Sequence, residues 1–403
     1  MSEKQVTSMQ KEQALAPILR QAFRPMFLFG ALFSVVAMVL WSMALTGRLE
    51  LNTYHNVIFW HQHEMLFGFV AAIIVGFLLT AVQNWTGVRA THGNPLLILS
   101  LVWLAGRLCM LFGGALPALV VALVDVAFLP LAAVLFGRIV LSAGQRRNLF
   151  FVPVLLLLAL TNLMMHAGVV LGEYQLVGYG SMSAVWLITL IMAIVSGRVL
   201  PMFTANGTGT ARVAGIAWLD KLALGSLWLI FALHLLLLTR YVPPLLMTAL
   251  FLLAAAANGA RLLRLRGWIT WRVPLLWSLH IAVAFIPTGL VLFALHYASL
   301  GVSISIAVHG LTAGAMGIMI LSMMARVSLG HSGRALQPKQ VMVLAFAVVI
   351  LAALLRVVMA WWLPGMLVTW YHWSAIAWVL AYVLYIAVYT PILTQPRADG
   401  RPG

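Results

Sequence analysis

The chain has 403 residues, of which 64% are hydrophobic and only 8% are charged, and its mean hydropathy is +1.05. So apolar a composition excludes an ordinary soluble domain and indicates an integral membrane protein. The formal charge of +16 would suit nucleic acid in a soluble protein, but here the basic residues lie in gaps between apolar segments. We therefore expect a lipid bilayer as the partner, and no nucleic acid.

Hydropathy divides the chain into twelve apolar segments of about 20–28 residues, each long enough to cross about 30 Å of hydrocarbon as a helix. They cover 26–47, 57–82, 94–112, 116–142, 150–170, 177–203, 217–239, 243–265, 272–297, 300–327, 340–361 and 367–394. The predicted fold class is an all-α integral membrane protein with twelve transmembrane helices. The predicted organisation is an N-terminal tail over 1–25, a membrane domain over 26–394 and a C-terminal tail over 395–403.

Basic residues occupy every second gap between these segments. They are Lys4, Lys11, Arg20, Arg24, Arg89, Arg138, Arg146, Arg147, Arg198, Arg212, Lys221, Arg261, Arg264, Arg266, Arg272, Arg326, Arg334, Lys339, Arg397 and Arg401. The intervening loops carry only Arg48 and Arg240. Because cytoplasmic loops are enriched in Lys and Arg, both termini are predicted to be cytoplasmic. The one cysteine, Cys109, lies in an apolar segment, which excludes an intramolecular disulfide and a Cys-based metal motif.

A weak internal repeat relates the second, sixth and tenth segments, which all end in short loops of small polar residues. A shift of 246 residues places His63 on His309 and Thr86 on Ser332. The chain would then consist of three four-helix units. The alternative is that such turns recur by chance.

Histidines are unevenly distributed along the predicted membrane depth. Those in the outer half are His55, His61, His63, His166, His234, His296, His309 and His372. His280 lies in the inner half, and His92 and His331 lie in cytoplasmic loops. A single intramembrane histidine usually hydrogen-bonds another helix, but eight at similar depth favour a cofactor site, since neutral imidazole ligates iron and copper.

The densest group is Trp60-His61-Gln62-His63-Glu64-Met65. At about 100° per residue, His61 and His63 project in opposite directions, while Glu64 should share the face of His61. The two histidines could therefore serve two centres. His63 and His309 at one depth would suit a haem with two axial imidazoles.

Two arginines and two carboxylates fall inside apolar segments. Arg107 and Arg356 are related by nearly the same shift, and buried guanidinium groups suit haem propionates. Snorkelling to the interface is the alternative. Glu64 and Asp125 are candidate catalytic proton carriers, or else they neutralise the arginines.

These segments resemble the NnrS family of bacterial membrane proteins, which are described as haem- and copper-containing and linked to nitric-oxide metabolism. The matching segments are Phe23-Arg24-Pro25, residues 60–69, 76–87, 103–107 and 197–204, Leu279-His280, and residues 309–314 and 324–334. Gln62 stands where the family usually has Ala, Gln83 where it often has Pro, and Ser332 where it usually has Thr. The resemblance covers most of the chain.

The resemblance implies a multi-pass protein of the bacterial inner membrane that contains haem b and, as a second centre, copper, another haem or non-haem iron. The implied function is nitric-oxide detoxification, by reduction of NO to N2O at a buried periplasmic-side site with quinol as a candidate electron donor. A nitric oxide reductase-type oxidoreductase is thus favoured. A non-catalytic NO-binding protective or sensory protein is the alternative, and a twelve-helix transporter a third. The three-unit repeat is partly analogous to haem–copper oxidases.

The resemblance places His61, His63, His280, His309 and His331 in motif positions. We expect His63 and His309 to be the axial ligands of one haem b, and His61 to belong to the second centre. The histidines outside the motifs rank lower.

The loop charges predict that reporter fusions after residue 92 and after residue 336 both report a cytoplasmic location. Fusions in the loops containing Arg48 and Arg240 should report the opposite side. A periplasmic signal after residue 92 or 336 would refute the twelve-helix topology.

Overall fold

A computed structural model describes residues 13–401, so Lys4 and Lys11 of the basic tail lie outside the described residues. Twelve helices in it are long and apolar enough to cross a membrane. They are α1 (Phe23–Leu45), α2 (Val57–Thr86), α3 (Asn94–Leu111), α4 (Ala118–Ser142), α5 (Arg146–Val170), α6 (Tyr174–Thr208), α7 (Ala217–Leu235), α8 (Pro244–Arg264), α9 (Pro274–Tyr297), α10 (Ile304–His331), α11 (Gln340–Trp362) and α12 (Pro364–Thr394). No β-strand occurs within residues 13–401. The predicted all-α, twelve-helix class is confirmed.

Helix ends differ from the predicted segments mainly where polar residues continue a helix. α2 extends to Thr86 and α10 to His331, each about one turn beyond the hydropathy limit. Their starts follow local chemistry, because the Asn56 side chain accepts a hydrogen bond from the Phe59 amide at 2.9 Å and Ser303 caps α10 in the same way.

The helices pack as two units. Within residues 13–401, the first contains 13–181, Met324–Gln337 and 382–401, and the second contains Met182–Met323 and Pro338–Ala381. The first therefore holds α1 to α5 and the C-terminal ends of α10 and α12. The division into three four-helix units stays a prediction.

In the first unit, Arg24 joins the start of α1 to the end of α12. Its side chain is fully buried, and Nη1 donates to the carbonyls of Leu393 at 2.9 Å and Gln395 at 2.7 Å. A cation at a helix C-terminus satisfies carbonyls that have no intrahelical partner and interacts favourably with the helix dipole. The adjacent Phe23 amide donates to Thr80 Oγ1 of α2, so this end of α1 is fixed to two helices.

The core of the second unit combines stacked aromatic rings with close helix contacts. The rings of Trp186 and Phe293 lie 4.7 Å apart, and Phe251 stacks on Phe293 at 5.2 Å. Gly317 of α10 lies directly against the ring of Trp378 on α12, and a Cβ there would overlap that ring. Only glycine allows this approach.

Three membrane helices contain π-helical segments, and two of these correspond under the internal repeat. In α2 the segment Glu64–Val70 begins directly after His63, and in α10 the segment Gly310–Gly317 begins directly after His309. The shift that superposes the histidines therefore superposes the π-helical starts. α6 is α-helical over Tyr174–Thr208 and lacks this feature. The backbone thus supports the relation of α2 to α10. It gives no support for relating α6 to either of them.

Gly317→Ala should destabilise the second unit by about 1–3 kcal/mol, because the new methyl group overlaps a ring that cannot move freely. The matched control is Gly365→Ala in the same unit, where nothing lies within 4 Å of the added carbon. Thermal unfolding of both variants in detergent measures the difference. Equal midpoints would contradict the proposed close contact.

Candidate functional site: a buried charge cluster in the first unit

Arg107 of α3 forms ion pairs with Glu64 of α2 and with Asp125 of α4. All three side chains are buried, with exposures of 4% or less. An isolated charge at membrane depth is costly, and pairing with hydrogen bonds is the arrangement that lowers this cost. The first unit therefore holds one guanidinium and two carboxyl groups as a single cluster.

His63 connects this cluster to α5. Its Nε2 lies 2.8 Å from Asn162 Oδ1, and its Nδ1 lies 2.9 Å from Glu64 Oε1. The Asn162 amide in turn donates from Nδ2 to Asp125 Oδ2 at 2.7 Å. Because this amide nitrogen faces the carboxylate, its oxygen must accept, and His63 therefore carries a proton on Nε2.

The second imidazole nitrogen then shares a proton with Glu64. Either His63 is an imidazolium facing a carboxylate, or it is neutral and accepts from a protonated Glu64. With Arg107 and Asp125 charged, both arrangements have zero net charge and differ only in the position of one proton. Glu64 Oε2 has no hydrogen-bond partner among the described residues. This carboxyl group therefore has one buried oxygen still available for a hydrogen bond.

His166 of α5 completes a group of possible metal ligands. Its Nε2 lies 3.1 Å from Asp125 Oδ2, and His63 Nε2 lies 3.1 Å from the same oxygen. One donor atom from each of these three residues lies within 4.8 Å of the others. Two imidazoles and one carboxylate are the ligand set of non-haem iron sites, and imidazole also binds copper.

Tyr54, in the loop between α1 and α2, lies over this group. Its ring centroid is 5.3 Å from that of His166, and its buried hydroxyl has no hydrogen-bond partner among the described residues. Burial and the negative charge of Asp125 raise the pKa of Tyr54 to about 12. The phenol therefore keeps its proton at neutral pH and is an available donor beside the cluster.

That Glu64 shares the face of His61 stays a prediction. Glu64 contacts His63 and Arg107. The π-helical segment begins at Glu64, and its wider turns change the angle between successive side chains, so the regular 100° spacing no longer applies.

His61 and His63 do contact different helices, as their spacing predicts. His61 stacks on Trp41 of α1, with ring centroids 4.3 Å apart and planes 14° apart, whereas His63 faces α5. Assignment of His61 to a second centre stays a prediction.

The second unit contains a counterpart of the cluster in which the arginine has neutral partners. Arg356 of α11 donates to Ser305 Oγ at 2.8 Å and lies 3.7 Å from the centroid of the Tyr371 ring. Tyr371 is 246 residues after Asp125, so a phenol stands where the first unit has a carboxylate. His309 Nδ1 lies 2.7 Å from the Ser305 carbonyl. Arg356 Nη1 is buried and has no hydrogen-bond partner among the described residues.

The other two motif histidines lie outside the cluster. His280 Nε2 is 2.9 Å from Thr204 Oγ1 in the second unit. In the first unit, the ring of His331 packs 5.8 Å from that of Phe23. Their predicted cofactor roles stay predictions, as does the axial pairing of His63 with His309.

Sequence analysis therefore identified four members of the cluster as candidate site residues: His63, Glu64, Arg107 and Asp125. It ranked His166 low and did not single out Asn162 or Tyr54. Asn162 and His166 are four residues apart on α5, a spacing that places both on one helix face and could have indicated them.

A multi-pass helical membrane protein with a buried, hydrogen-bonded group of histidines and carboxylates is the class that this fold and cluster define. A family model described as "NnrS protein" matches residues 17–397, and the chain belongs to the NnrS family. Membership fits a nitric-oxide-related membrane protein. No curated protein sequence matches the chain.

Arg107→Leu should destabilise the protein by about 3–5 kcal/mol, because it leaves two buried carboxyl groups without their cation. Arg356→Leu is the matched control and should cost less, since its partners Ser305 and Tyr371 are neutral. Thermal unfolding in detergent compares the two. The triple change Arg107→Leu, Glu64→Gln, Asp125→Asn should recover part of the loss; a larger effect at Arg356 would contradict this electrostatic account.

Proposed function

We propose that this protein is a metal-dependent redox protein of nitric-oxide metabolism that reduces NO to N2O at the buried cluster of the first unit. The observation that supports this proposal most directly is the joining of His63, Asp125 and His166 with proton-holding groups in one buried site. Reduction of two NO molecules to N2O and water consumes two electrons and two protons. A site for this reaction needs a redox-active centre and groups that deliver protons.

The donor set fits a small redox-active metal ion. His63, Asp125 and His166 would hold non-haem iron or copper, with the metal taking the place of the proton on His63 Nε2, and the metal would supply electron transfer to NO. The buried His166 Nδ1 has no hydrogen-bond partner among the described residues, so no hydrogen bond at this nitrogen opposes metal binding by the imidazole. The ligands come from α2, α4 and α5, which the Arg107 ion pairs and the Asn162 hydrogen bonds hold together.

For haem b, the two buried arginines differ in suitability. Arg107 already pairs with two carboxyl groups, which leaves little capacity for a propionate. Arg356 has no acidic partner among the described residues, and its buried Nη1 lacks a hydrogen-bond partner. Arg356 is thus the better candidate for a propionate. His309, on the same unit, remains the proposed haem ligand. Its axial pairing with His63 is the alternative to the ligand set above, because one imidazole nitrogen binds one metal ion.

The proton-handling residues surround the proposed metal ligands. Glu64 shares a proton with His63, and its second oxygen lacks a partner among the described residues. Tyr54 presents a protonated hydroxyl from the connecting loop. These two groups would supply protons to the site, Glu64 beside His63 and Tyr54 beside His166, with Asp125 holding the imidazoles in orientation.

Metal analysis and visible absorption spectra of purified His166→Ala and His309→Ala test the assignment. His166→Ala should lose the non-haem metal and retain haem, because only the first centre uses this residue. His309→Ala should lose the low-spin haem signal and retain the other metal. His234→Ala is the control, since this buried imidazole hydrogen-bonds the Ile230 carbonyl of its own helix and belongs to neither proposed centre.

Anaerobic NO consumption with a chemical reductant, with N2O measured by gas chromatography, then separates an enzyme from a binder. Turnover in the wild-type protein and its loss in His166→Ala are the expected results. Full metal content and turnover in His166→Ala would refute the proposed ligand set. NO binding without N2O would establish the protective or sensory alternative, and a wild-type protein without metal or chromophore would favour the transporter.

A further inference from the structure

The second unit encloses a cavity of about 390 Å³ that the proposed redox function does not use. Its walls are α6, the connection between α6 and α7, the first turn of α7, the end of α8 and the middle of α9. This volume falls within the range of about 300–1,000 Å³ that is usual for ligand sites.

The polar part of the cavity has an excess of positive charge. Its lining contains Arg212, Arg261 and Arg264, and Asp220 is its only carboxylate. Asp220 Oδ1 accepts a hydrogen bond from Arg261 Nε at 2.7 Å, which neutralises one of the three arginines. Arg264 donates to the Ala214 carbonyl, a neutral partner. Two positive charges therefore remain, and the lining favours an anion.

The backbone adds to this preference. α7 begins at Ala217 without a side-chain cap at Ile216, so its uncapped first turn and the positive end of its dipole lie beside the cavity. Both Ile216 and the preceding Gly215 line the cavity. Helix N-termini of this length bind phosphate and carboxylate groups, and here the arginines reinforce that field.

Arg261 is held in place by its contacts with α6. Gly197 has no side chain, and a Cβ there would displace the Arg261 guanidinium. The same guanidinium lies 3.4 Å from the Ala193 carbonyl. The helix packing thus holds Arg261 in place, whereas Arg212 and Arg264 are exposed residues of the lining.

The remaining wall is apolar and extends into the membrane. Leu219, Val283 and Ile286 are buried side chains in the lining. Val283 lies nine residues into α9, or about 14 Å from its start. One end of the cavity therefore suits a charged headgroup, and the other suits the beginning of an acyl chain.

We propose that this cavity binds the phosphate headgroup of an acidic phospholipid. The charge excess, the uncapped helix terminus and the adjoining apolar wall together match an amphipathic anion, and basic pockets between membrane helices are a known type of lipid site. The site is independent of the charge cluster in the first unit.

Native mass spectrometry of the full-length protein, titrated with phosphatidylglycerol or phosphatidylcholine, tests the proposal. Phosphatidylglycerol should bind preferentially, and Arg212→Gln with Arg264→Gln should weaken its binding about tenfold or more. Arg240→Gln with Arg272→Gln removes the same charge outside the cavity and should leave binding unchanged. Asp220→Asn should strengthen it, because it removes the only carboxylate of the lining.

Three results would overturn the proposal. They are equal binding of phosphatidylcholine, unchanged binding after loss of the two cavity arginines, and displacement of the lipid by inorganic phosphate at comparable concentration. The last result would identify a site for free oxyanions instead of a lipid headgroup. Tighter lipid binding by Asp220→Asn would exclude misfolding as the cause of the changes in affinity, because a misfolded protein would not bind the lipid more tightly.

Discussion

The ion pairs of Arg107 with Glu64 and Asp125 constrain the rest of the first unit. In an apolar interior, none of these groups can be ionised alone without a large cost in free energy. Pairing therefore fixes α2, α3 and α4 relative to one another at this depth. Asn162 extends the same network to α5, so the positions of His63 and His166 follow from the need to satisfy Asp125.

The second unit lacks the two carboxylates that impose this pairing on the first unit. The internal shift replaces Asp125 by Tyr371 and Glu64 by Gly310, while an arginine is retained at nearly the corresponding position. Without carboxylates, Arg356 uses a hydroxyl and an aromatic face and keeps one buried donor without a partner among the described residues. One unit thus holds internally balanced charge and proton-binding groups, and the other holds a cation that can still accept an anionic partner.

The sequence predicted the twelve helices because hydrophobic length alone decides membrane insertion, and no tertiary information is needed for it. It predicted the buried charges because such residues stand out in apolar segments. It could not predict that Glu64 faces His63, since the π-helical segment that turns it depends on packing. Nor could it distinguish His166 from the other histidines outside the motifs, because only the approach of α5 to Asp125 does so.

The chain has 24 basic residues but only eight acidic ones, and the placement of the acidic residues shows where charge must be balanced. Glu64 and Asp125 neutralise the buried cluster, Asp220 pairs with Arg261 in the cavity wall, and Asp399 pairs with Arg397 near the C-terminus. Arginines without such partners cluster at the helix ends, where they favour one topology and an acidic lipid surface. Four of the eight carboxylates thus pair with an arginine, and two of these four, Glu64 and Asp125, lie together in the proposed redox site.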